Sequence, residues 1–427
     1  MSAREPAFRY AGWSFDGRDV VCRYELGARA FTERFTLPDG PGLGTPALSQ
    51  VARLLFLLAG VSYYKTAAPP VVDLGATPVT PSDRALLRAF YTHGLGEFAY
   101  VNDLDLSGLQ FTGGAEPLPA TPYDGGADRP LVPFGGGIDS VVVAETVRAR
   151  RPETALFVLG SYDAIEGVLE VAGLPVLRAA RRLDPQLLVR DPAFLNGHVP
   201  VTGIVSLVAL AAAVVDGRGP VVMSNEHSAS EATVAGVNHQ WSKSAAFEGL
   251  LRASLAESVP GLGYFSLLRA RSELWVAQRF ALLPAYHPVF RSCNRAFTVD
   301  PARRLGHWCG ECDKCCFIDL ILAPYLTPGE LEAIFGREPL DRPDLLPRFR
   351  SLLGDGEHDK PFECVGDVDE CRTAVTLAAA RPDRQKYPVL QELSAFVAGR
   401  APAEESLLRP LGDDAVPPEY ADADVVV

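Results

Sequence analysis

The amino-acid sequence predicts an α/β protein whose central part is a parallel sheet with helices on both faces. From Leu131 onward, short apolar runs of strand length alternate with segments of helical periodicity, which is typical of parallel sheets. Before this part, apolar and polar residues alternate as they do in antiparallel strands. After it, the patterns are mainly helical, and four cysteines lie between Cys309 and Cys316. The fold class therefore includes a smaller N-terminal α+β domain and a helical, cysteine-containing C-terminal part.

Three domains are expected from the length and from changes of composition along the chain. At 427 residues the chain exceeds what one ordinary hydrophobic core organises. We expect an N-terminal α+β domain over residues 1–125, a central α/β domain over 126–300, and a C-terminal cysteine-cluster and helical region over 301–427. The last residues, from Asp413, are acidic and contain proline, which favours a mobile tail.

The overall charge and the apolar pattern limit the classes of function. A formal net charge of −13 argues against a large nucleic-acid interface, which requires clustered lysine and arginine. The first residues lack the apolar segment of a signal peptide. The apolar run Val201–Val215 is interrupted by polar residues and predicts a buried helix rather than a membrane span. We therefore expect a cytoplasmic protein without a nucleic-acid or membrane partner.

In the N-terminal domain, two strands and two helices are predicted. Val20–Leu26 and Ala30–Leu37 alternate apolar with polar residues, as an antiparallel pair with one solvated face does. Ala47–Tyr64 and Pro81–Tyr91 repeat apolar residues at helical spacing. The segment Pro117–Pro130 is rich in proline, glycine and aspartate, which is typical of a linker to the next domain.

The central domain alternates predicted strands and helices. The strands are the run that begins at Leu131, then Ala155–Leu159, Pro175–Leu177 and Pro220–Met223. The helices are Val141–Arg150, Ala164–Ala172 and Val201–Val215. This alternation places the carboxyl ends of the strands at one edge of the sheet, where ligands bind. Pro133 cannot donate a hydrogen bond to a neighbouring strand, so it must lie at a strand end or at an unpaired position.

Two helix starts are marked by capping residues further along the chain. Thr327-Pro-Gly-Glu330 is a capping box in the C-terminal region, which is predicted to be mostly helical. Ser272 and Glu273 are placed to cap an earlier helix. Arg269 and Arg271, just before that helix, can pair with phosphates or a carboxylate, or can be solvated at the helix start.

A glycine-rich turn stands between the first central strand and its helix. Gly135, Gly136 and Gly137 are followed by Asp139 and Ser140. Glycines let the backbone approach a charged group closely, and the following helix directs unpaired N–H groups at the same place. The pattern is not a Walker A loop, which requires Gly-Lys-Ser/Thr. It predicts a phosphate site, although an ordinary strand-to-helix turn has a similar composition.

A cluster of cysteines predicts a zinc site in the C-terminal region. The proposed ligands are three closely spaced thiols and one upstream thiol, namely Cys309, Cys312, Cys315 and Cys293. Tetrahedral zinc takes four such ligands, and full thiolate ligation is typical of a structural metal. For the fourth position, Cys316 or His307 can compete with Cys293.

Two polar loops are expected at the ligand-binding edge of the sheet. The loop after the strand Pro220–Met223 carries Asn225, Glu226 and His227. The next loop carries His239 and Lys243. Glu226, Asn225 and Lys243 can hold Mg²⁺ and pyrophosphate, while turn formation and helix capping are the alternative roles of these loops.

Cys364 lies outside the proposed zinc cluster, in the stretch Lys360-Pro-Phe-Glu-Cys364. A thiol beside a lysine can have a lowered pKa and act as a base or a nucleophile. The alternative is that this cysteine serves only as a small apolar side chain.

The glycine turn resembles the PP-loop of the ATP pyrophosphatase superfamily. That pattern is Ser-Gly-Gly-x-Asp-Ser, and Gly135–Ser140 matches it except that Gly135 replaces the first serine. The resemblance implies an adenine nucleotide alpha hydrolase-like fold that binds ATP and Mg²⁺ and cleaves ATP between the α and β phosphates. The cysteine cluster is similar to that of the superfamily enzymes that make 7-cyano-7-deazaguanine.

Several stretches together resemble the ATP-dependent UDP-N-acetylmuramoyl-L-alanyl-L-glutamate epimerases. They are Ala59–Lys65, Phe134–Ser140, Ser224–His227, Val237–Ser244, the cysteine cluster and Lys360–Gly366. The resemblance implies inversion of the terminal L-glutamate of this UDP-muramoyl dipeptide, a precursor of peptidoglycan, with release of AMP and pyrophosphate. The candidate bases are Cys364, His227 and His239, in that order, and one-base and two-base routes are both open. Glu226 and Lys243 complete the candidate catalytic set.

Two other functions are compatible with the sequence. An amide- or nitrile-forming ligase similar to 7-cyano-7-deazaguanine synthase uses the same adenylation chemistry and a similar cysteine cluster. A binding or regulatory protein with a degenerate loop is suggested by Gly135 in the place of serine. A tRNA-thiolating role is disfavoured by the net negative charge.

Overall fold

Ten strands form one continuous sheet in the part of the chain that the computed structural model describes, residues 6–189, 191–234, 236–298, 300–358 and 360–421. The strands are β1 (Phe8–Asp16), β2 (Asp19–Leu26), β3 (Arg29–Thr36), β4 (Val71–Asp73), β5 (Gln110–Thr112), β6 (Leu131–Pro133), β7 (Ala155–Leu159), β8 (Val176–Arg182), β9 (Val221–Met223) and β10 (Tyr264–Ser266). The α-helices are α1 (Pro46–Ala59), α2 (Val61–Tyr64), α3 (Pro81–Thr92), α4 (Gly96–Val101), α5 (Ile138–Arg148), α6 (Asp163–Ala172), α7 (Val201–Asp216), α8 (Ala245–Ser258), α9 (Glu273–Ala281), α10 (Asp313–Leu322), α11 (Pro328–Phe335), α12 (Leu346–Leu352), α13 (Val368–Ala380), α14 (Pro388–Val397), α15 (Glu404–Leu408) and α16 (Pro418–Ala421).

The sheet has the strand order β10-β9-β6-β7-β8-β3-β2-β1-β4-β5. The strands from β10 to β8 run parallel, as the alternation of strands and helices predicts. β8 then pairs antiparallel with β3, and β3, β2 and β1 form an antiparallel ribbon that includes the predicted N-terminal pair. The N-terminal strands therefore extend the central sheet, and the α/β class is confirmed.

Helices cover both faces of the parallel part, and the central strand β7 shows why. Ala155 and Phe157 belong to a core that also contains α1, α3, α7 and α8. Leu156 and Val158 point into a second core with α5, α6, α9, α10 and α13. Successive side chains of a strand face opposite sides, so a continuously apolar strand requires an apolar layer on each side.

Two apolar helices form much of the first core. The helix α7 is buried, as the run Val201–Val215 predicts. The stretch Pro46–Tyr64, which comprises α1 and α2, is long and apolar enough to cross a membrane by length and composition. However, 94% of its apolar window is buried inside the fold, which is the property of a core helix.

The structure also shows strands that the sequence patterns do not predict. β4, β5 and β10 have three residues each, which is too short for an alternating pattern to be recognised. In β1 the register shifts between Tyr10 and Gly12, and this irregularity interrupts the alternation. Pro133 is the last residue of β6, so its missing N–H does not disrupt the ladder.

The C-terminal tail, expected to be mobile from Asp413, is docked on the protein as far as Ala421. Tyr420 is buried, and its ring centroid lies 5.1 Å from that of Phe265 in β10. The guanidinium of Arg151 lies 5.0 Å from the centre of the same ring. Residues 422–427 lie outside the described part of the chain.

Candidate active site

The glycine turn connects β6 to α5 and opens into a cavity of about 520 Å³. Gly136 has a φ of +75°, a conformation that a side chain would strain. Gly137 precedes the first helical residue and caps the helix without a side-chain hydrogen bond. Ser140 donates a hydrogen bond to the Gly137 carbonyl oxygen at 3.0 Å. The first N–H groups of α5 thus stand at the cavity wall, where an anion is stabilised.

The cavity lies beyond the carboxyl ends of the parallel strands, where the sequence places it. Gly135, Gly137 and Asp139 line it from the turn after β6, and Tyr162 lines it from the loop after β7. Glu226 lines it from the loop after β9. Loops that follow three neighbouring strands of the sheet therefore meet at one cavity, as they do in nucleotide-binding α/β proteins.

Three carboxylates form a cluster at the floor of this cavity. One oxygen from each of Asp139, Glu226 and Glu273 lies within 4.8 Å of the others. Asp139 Oδ1 and Glu273 Oε2 are buried without a hydrogen-bond partner in the described structure. Burial, together with repulsion by Glu226, raises the pKa of Asp139 to about 6. A divalent cation with oxygen ligands would relieve both the repulsion and the missing contacts, so the donor set fits Mg²⁺.

Two lysines supply positive charge on the same cavity. Lys243 Nζ donates to Gln240 Oε1 at 2.9 Å and lies 3.1 Å from Cys364 Sγ. Burial lowers the pKa of Lys243, but the charges of Cys364 and Glu226 outweigh this effect and the net shift is upward. Lys314, from the first turn of α10, donates to the backbone oxygen of Cys364. Both ammonium groups are therefore held where phosphate charge is expected.

Cys364 lies in the cavity wall and carries an acidic thiol. Burial alone would raise its pKa, but the Lys243 ammonium, the neighbouring His239 and Lys314 lower it to about 6. The group is therefore mainly thiolate at neutral pH, whereas an ordinary cysteine is mainly thiol. The thiolate can accept a proton from a substrate in the same cavity.

His239 stands behind Cys364 in a small cluster with His198 and Glu97. Its Nδ1 hydrogen-bonds to a Glu97 carboxylate oxygen, and its ring centroid lies 4.5 Å from that of His198. Burial lowers the pKa of His239, but Cys364 and Glu97 outweigh it and raise the pKa to about 9. Burial and the charge of His239 lower the pKa of His198 to about 4. The cluster therefore holds one proton on His239, which stabilises the thiolate.

Arg269 and Arg271, each expected to pair with phosphate or a carboxylate or to be solvated, lie outside the lining of this cavity. Arg269 is buried in an ion pair with Glu248 at 2.9 Å. Its remaining N–H groups donate to the carbonyl oxygens of Lys243 at 2.7 Å and Glu226 at 3.2 Å. Arg271 lies over the Trp275 ring, 4.8 Å from its centre. Arg269 thus supports two loops of the cavity from behind.

Asn225 and His227 also lie outside the cavity lining. The backbone of Asn225 exchanges two hydrogen bonds of 2.7 Å with the hydroxyl of Ser266 in β10. The backbone N–H of His227 donates to the carbonyl oxygen of Arg271. These contacts fix the loop that presents Glu226.

Four cysteine sulfurs meet at a second centre beside the cavity. Cys293, Cys309, Cys312 and Cys315 have their sulfurs within 4.8 Å of one another. The separations Cys293–Cys312, Cys309–Cys315 and Cys312–Cys315 are 3.8, 3.5 and 3.5 Å. A tetrahedral ion with Zn–S bonds of about 2.3 Å requires sulfurs about 3.8 Å apart. The group can hold a metal ion such as zinc, and it includes neither Cys316 nor His307.

The four-cysteine group and the cavity share structural elements. Ser292 and Asn294 flank Cys293 and line the cavity, and Lys314 precedes Cys315 and does the same. The four-cysteine group therefore lies directly beside the wall that presents Lys314. Sequence reasoning did not select Lys314, although it lies inside the cysteine motif, nor Glu273, which has the appearance of a helix-capping residue. It also missed Glu97, which no local pattern distinguishes.

Comparisons with known proteins identify the family. The model of the MurL N-terminal domain matches residues 1–267, and that of the MurL C-terminal domain matches residues 289–407. Three relatives are named UDP-N-acetyl-alpha-D-muramoyl-L-alanyl-L-glutamate epimerase. The Salinispora tropica protein is 42% identical over 98% of this chain and 96% of its own. The Micromonospora protein is 42% identical over 98% of each chain. The Xanthomonas oryzae pv. oryzae protein is 38% identical over 96% of this chain and 95% of its own.

No solved structure matches the chain at a significant level. The two family models together cover most of the sequence, and the three relatives align with it over nearly their whole length. The glycine turn and Cys364 lie within the regions that the two models match, and Glu273 lies between those regions. The chain therefore belongs to the MurL family.

Proposed function

We propose that this protein inverts the terminal L-glutamate of UDP-N-acetylmuramoyl-L-alanyl-L-glutamate to D-glutamate in the cytoplasm, with ATP converted to AMP and pyrophosphate. The observation that carries the proposal is the position of Cys364. Its sulfur lies 3.1 Å from Lys243 Nζ in the cavity that the glycine turn also lines. The candidate base, Cys364, and the glycine turn proposed to bind the nucleotide therefore face the same cavity. The names of the three relatives support the same reaction.

ATP is needed because the substrate carbon is difficult to deprotonate. The negative charge of the glutamate α-carboxylate opposes removal of the neighbouring proton. In the first step a carboxylate oxygen bonds to the α-phosphorus of ATP, and pyrophosphate leaves with the electron pair of the broken P–O bond. The resulting acyl-adenylate has a carbonyl that can accept the electron pair of the C–H bond.

The nucleotide is proposed to lie on the glycine turn, in a PP-loop domain that spans residues 126–300. The N–H groups at the start of α5 face the β and γ phosphates, and Lys243 and Lys314 balance their charge. Asp139, Glu226 and Glu273 would hold Mg²⁺, which stabilises the charge of the departing pyrophosphate. The unpartnered oxygens of Asp139 and Glu273 support this assignment.

The proton transfer is assigned to Cys364. The thiolate removes the α-proton, and the electron pair of that bond moves to the acyl-adenylate carbonyl. Lys243 and His239 keep the sulfur ionised before this step. A proton then returns to the opposite face of the carbon, from the Cys364 thiol in a one-base route or from a second acid in a two-base route, and water hydrolyses the acyl-adenylate to the D-glutamyl product and AMP. A pKa of about 6 suits a base that works near neutral pH.

Zinc is proposed for the four-cysteine group, in a structural role. Four thiolates would occupy all four positions of a tetrahedral coordination sphere and leave none for the substrate. The ion would secure the segment around Cys293 and the start of α10. Its contribution to the reaction is then to position Asn294 and Lys314 at the cavity.

The proposal is tested by incubating the precursor with ATP and Mg²⁺ in deuterated water. We expect deuterium at the glutamyl α-carbon, with AMP and pyrophosphate formed during turnover, and no exchange when ATP is omitted. Absence of both exchange and AMP formation would exclude the epimerase. AMP formation that requires ammonia and leaves a new nitrogen in the product would instead indicate the adenylating ligase.

A further inference from the structure

A second cavity of about 320 Å³ has no part in the reaction described above. It is enclosed by the end of α2, by β8 and by the segment that follows β8. Its lining includes the cationic side chains of Lys65 and Arg181 and the hydroxyl of Ser62. Its apolar lining residues are Leu187, Leu188, Val189, Phe194 and Val199. Such a mixture fits a ligand that is anionic at one part and apolar or aromatic at another.

Lys65 is the uncompensated charge of this second cavity. Its Nζ donates to the carbonyl oxygen of Gly197 at 2.9 Å, and no carboxylate pairs with it among the described residues. It is half-buried, and burial followed by repulsion from Arg181 lowers its pKa. A half-buried ammonium beside a guanidinium is stabilised when an anion binds between them.

The other charges of the second cavity are already paired. Arg181 Nε bonds Glu33 Oε1 at 2.5 Å, and its Nη2 donates to Ser62 Oγ at 2.9 Å. The one lining carboxylate, Asp191, pairs with Arg29 at 2.9 Å. The net positive charge therefore rests on Lys65, with the guanidinium of Arg181 fixed in orientation next to it. In a chain of net charge −13 this is a local exception.

The mouth of the second cavity is apolar. Leu188 and Val189 are 61% and 67% exposed, although both line the cavity. Phe194 is half-buried in the same wall, and the guanidinium of Arg29 lies 4.6 Å from its ring centre. Exposed aliphatic side chains next to an aromatic ring suit the flat face of a nucleobase.

The second cavity adjoins the candidate active site along the chain. Val199 lines the second cavity, and Val201, two residues later, lines the first. Two residues span about 7 Å at most. A lactyl-alanyl-glutamyl stem is comparable to three extended residues and reaches about 10 Å. A ligand with its diphosphate near Lys65 can therefore extend its terminal glutamate toward Cys364.

We propose that this second cavity binds the uridine diphosphate end of the substrate. The diphosphate lies against Lys65 and Arg181, and the uracil ring packs at the apolar mouth formed by Leu188, Val189 and Phe194. The proposal rests on the proposed function, because that reaction supplies a substrate with a nucleoside diphosphate at the end remote from the glutamate.

The test compares Lys65→Met with Lys386→Met, which removes an exposed lysine far from this cavity in sequence. Calorimetry measures the binding of UDP itself, and kinetics compares kcat/KM for the full precursor with that for the same muramoyl dipeptide without UDP. We expect UDP to bind the wild-type protein and Lys65→Met to weaken it about tenfold or more, as for loss of a charge-assisted hydrogen bond. The preference for the UDP-bearing substrate falls by a similar factor, and Lys386→Met retains wild-type values.

The outcomes separate this proposal from the proposed function. If the precursor is not epimerised, but UDP binds and Lys65→Met weakens UDP binding, the assignment of the second cavity holds and the proposed epimerase reaction is wrong. If the precursor is epimerised while Lys65→Met lowers kcat/KM equally for both substrates, the lysine acts on the active site and the cavity assignment is overturned. Failure of UDP to bind the wild-type protein also overturns it.

Discussion

The ammonium of Lys243 and the thiol of Cys364 lie 3.1 Å apart, although 121 positions separate them in the sequence. The pair joins the segment before α8 to the segment before α13. The positive charge of Lys243 favours the ionised form of the Cys364 sulfur in a partly enclosed site.

Replacement of the thiol should separate adenylation from proton transfer. We expect Cys364→Ser to lower α-proton exchange by about 100-fold to 10,000-fold, the usual contribution of a general base. Substrate-dependent exchange of labelled pyrophosphate into ATP should persist, because it precedes the proton transfer. Cys371→Ala, at a buried cysteine outside the cavity, is the matched control. Equal loss of both exchange reactions would contradict the assigned role.

The pH dependence should follow the thiol. Because the thiolate is the base and its pKa is about 6, kcat/KM should rise as the pH increases through about 6 and fall below it. In Lys243→Met the stabilising charge is lost, so the thiol pKa should move up toward its ordinary value of 9.0. The rate of iodoacetamide alkylation against pH measures this directly, with Cys364→Ser as background. An unshifted alkylation profile would show that Lys243 does not control the sulfur.

The carboxylate cluster should lower the stability of the folded protein as long as no cation is bound. Burial, followed by the charges of Asp139 and Glu226, raises the pKa of Glu273 well above its usual value. The folded state therefore binds the carboxyl proton of Glu273 more tightly than the unfolded state does. The stability that this protonation contributes is lost as the pH rises. Glu273→Gln should raise Tm without Mg²⁺ at pH 7, and less so near pH 4.5.

The same substitution should weaken the use of Mg²⁺. We expect Glu273→Gln to raise the Mg²⁺ concentration for half-maximal activity about tenfold, which corresponds to about 1.4 kcal/mol. Glu332→Gln, at a glutamate on the outer side of α11, should leave it unchanged. A variant with normal Mg²⁺ dependence would remove Glu273 from the cation site.

The cysteine group should be recognisable by its metal content. We expect about one zinc per chain, because the described residues contain one such four-thiol group. Cys309→Ser should lose the metal and lower Tm, whereas Cys316→Ser should retain it because Cys316 is outside the group. Elemental analysis and thermal unfolding measure the two effects. Retention of zinc in Cys309→Ser would show that another residue completes the site.

The glycines of the turn should respond differently to substitution. Gly136 has a φ of +75°, so Gly136→Ala should cost about 1–2 kcal/mol and raise the KM for ATP. A Cβ at Gly135 meets nothing within 4 Å, so Gly135→Ser, which introduces the first serine of the PP-loop pattern that this turn resembles, should fold and, on the proposed function, turn over ATP. Urea unfolding and ATP kinetics distinguish the two variants.

The order of the central elements could be predicted because their signals are local. β7 has the bounds that its apolar run indicates, and Ser272 caps α9 as its position suggests. The short strand β10 carries only three buried residues and gives no such signal. The ten-stranded continuation of the sheet depends on the pairing of β3 with β8, which are far apart in sequence.

The site could be predicted only in part because its contacts are non-local. The sequence indicates Lys243 and Cys364 separately as candidate site residues, but it does not predict that the two side chains are in contact. The sequence leaves Arg269 three alternatives, namely a phosphate partner, a carboxylate partner or a solvated position, and only the fold shows that its partner is the carboxylate of Glu248. Glu273 has the position of a helix-capping residue, and only the fold reveals that it faces Asp139.

The guanidinium of Arg269 holds the backbone oxygens of both Glu226 and Lys243. Because this group is buried and paired with Glu248, it ties the segment that carries Glu226 to the segment that carries Lys243. A substitution at Arg269 should therefore displace a member of the carboxylate cluster and the partner of the Cys364 sulfur together, from a position that contacts neither the cluster nor the sulfur by hydrogen bonds in the described structure.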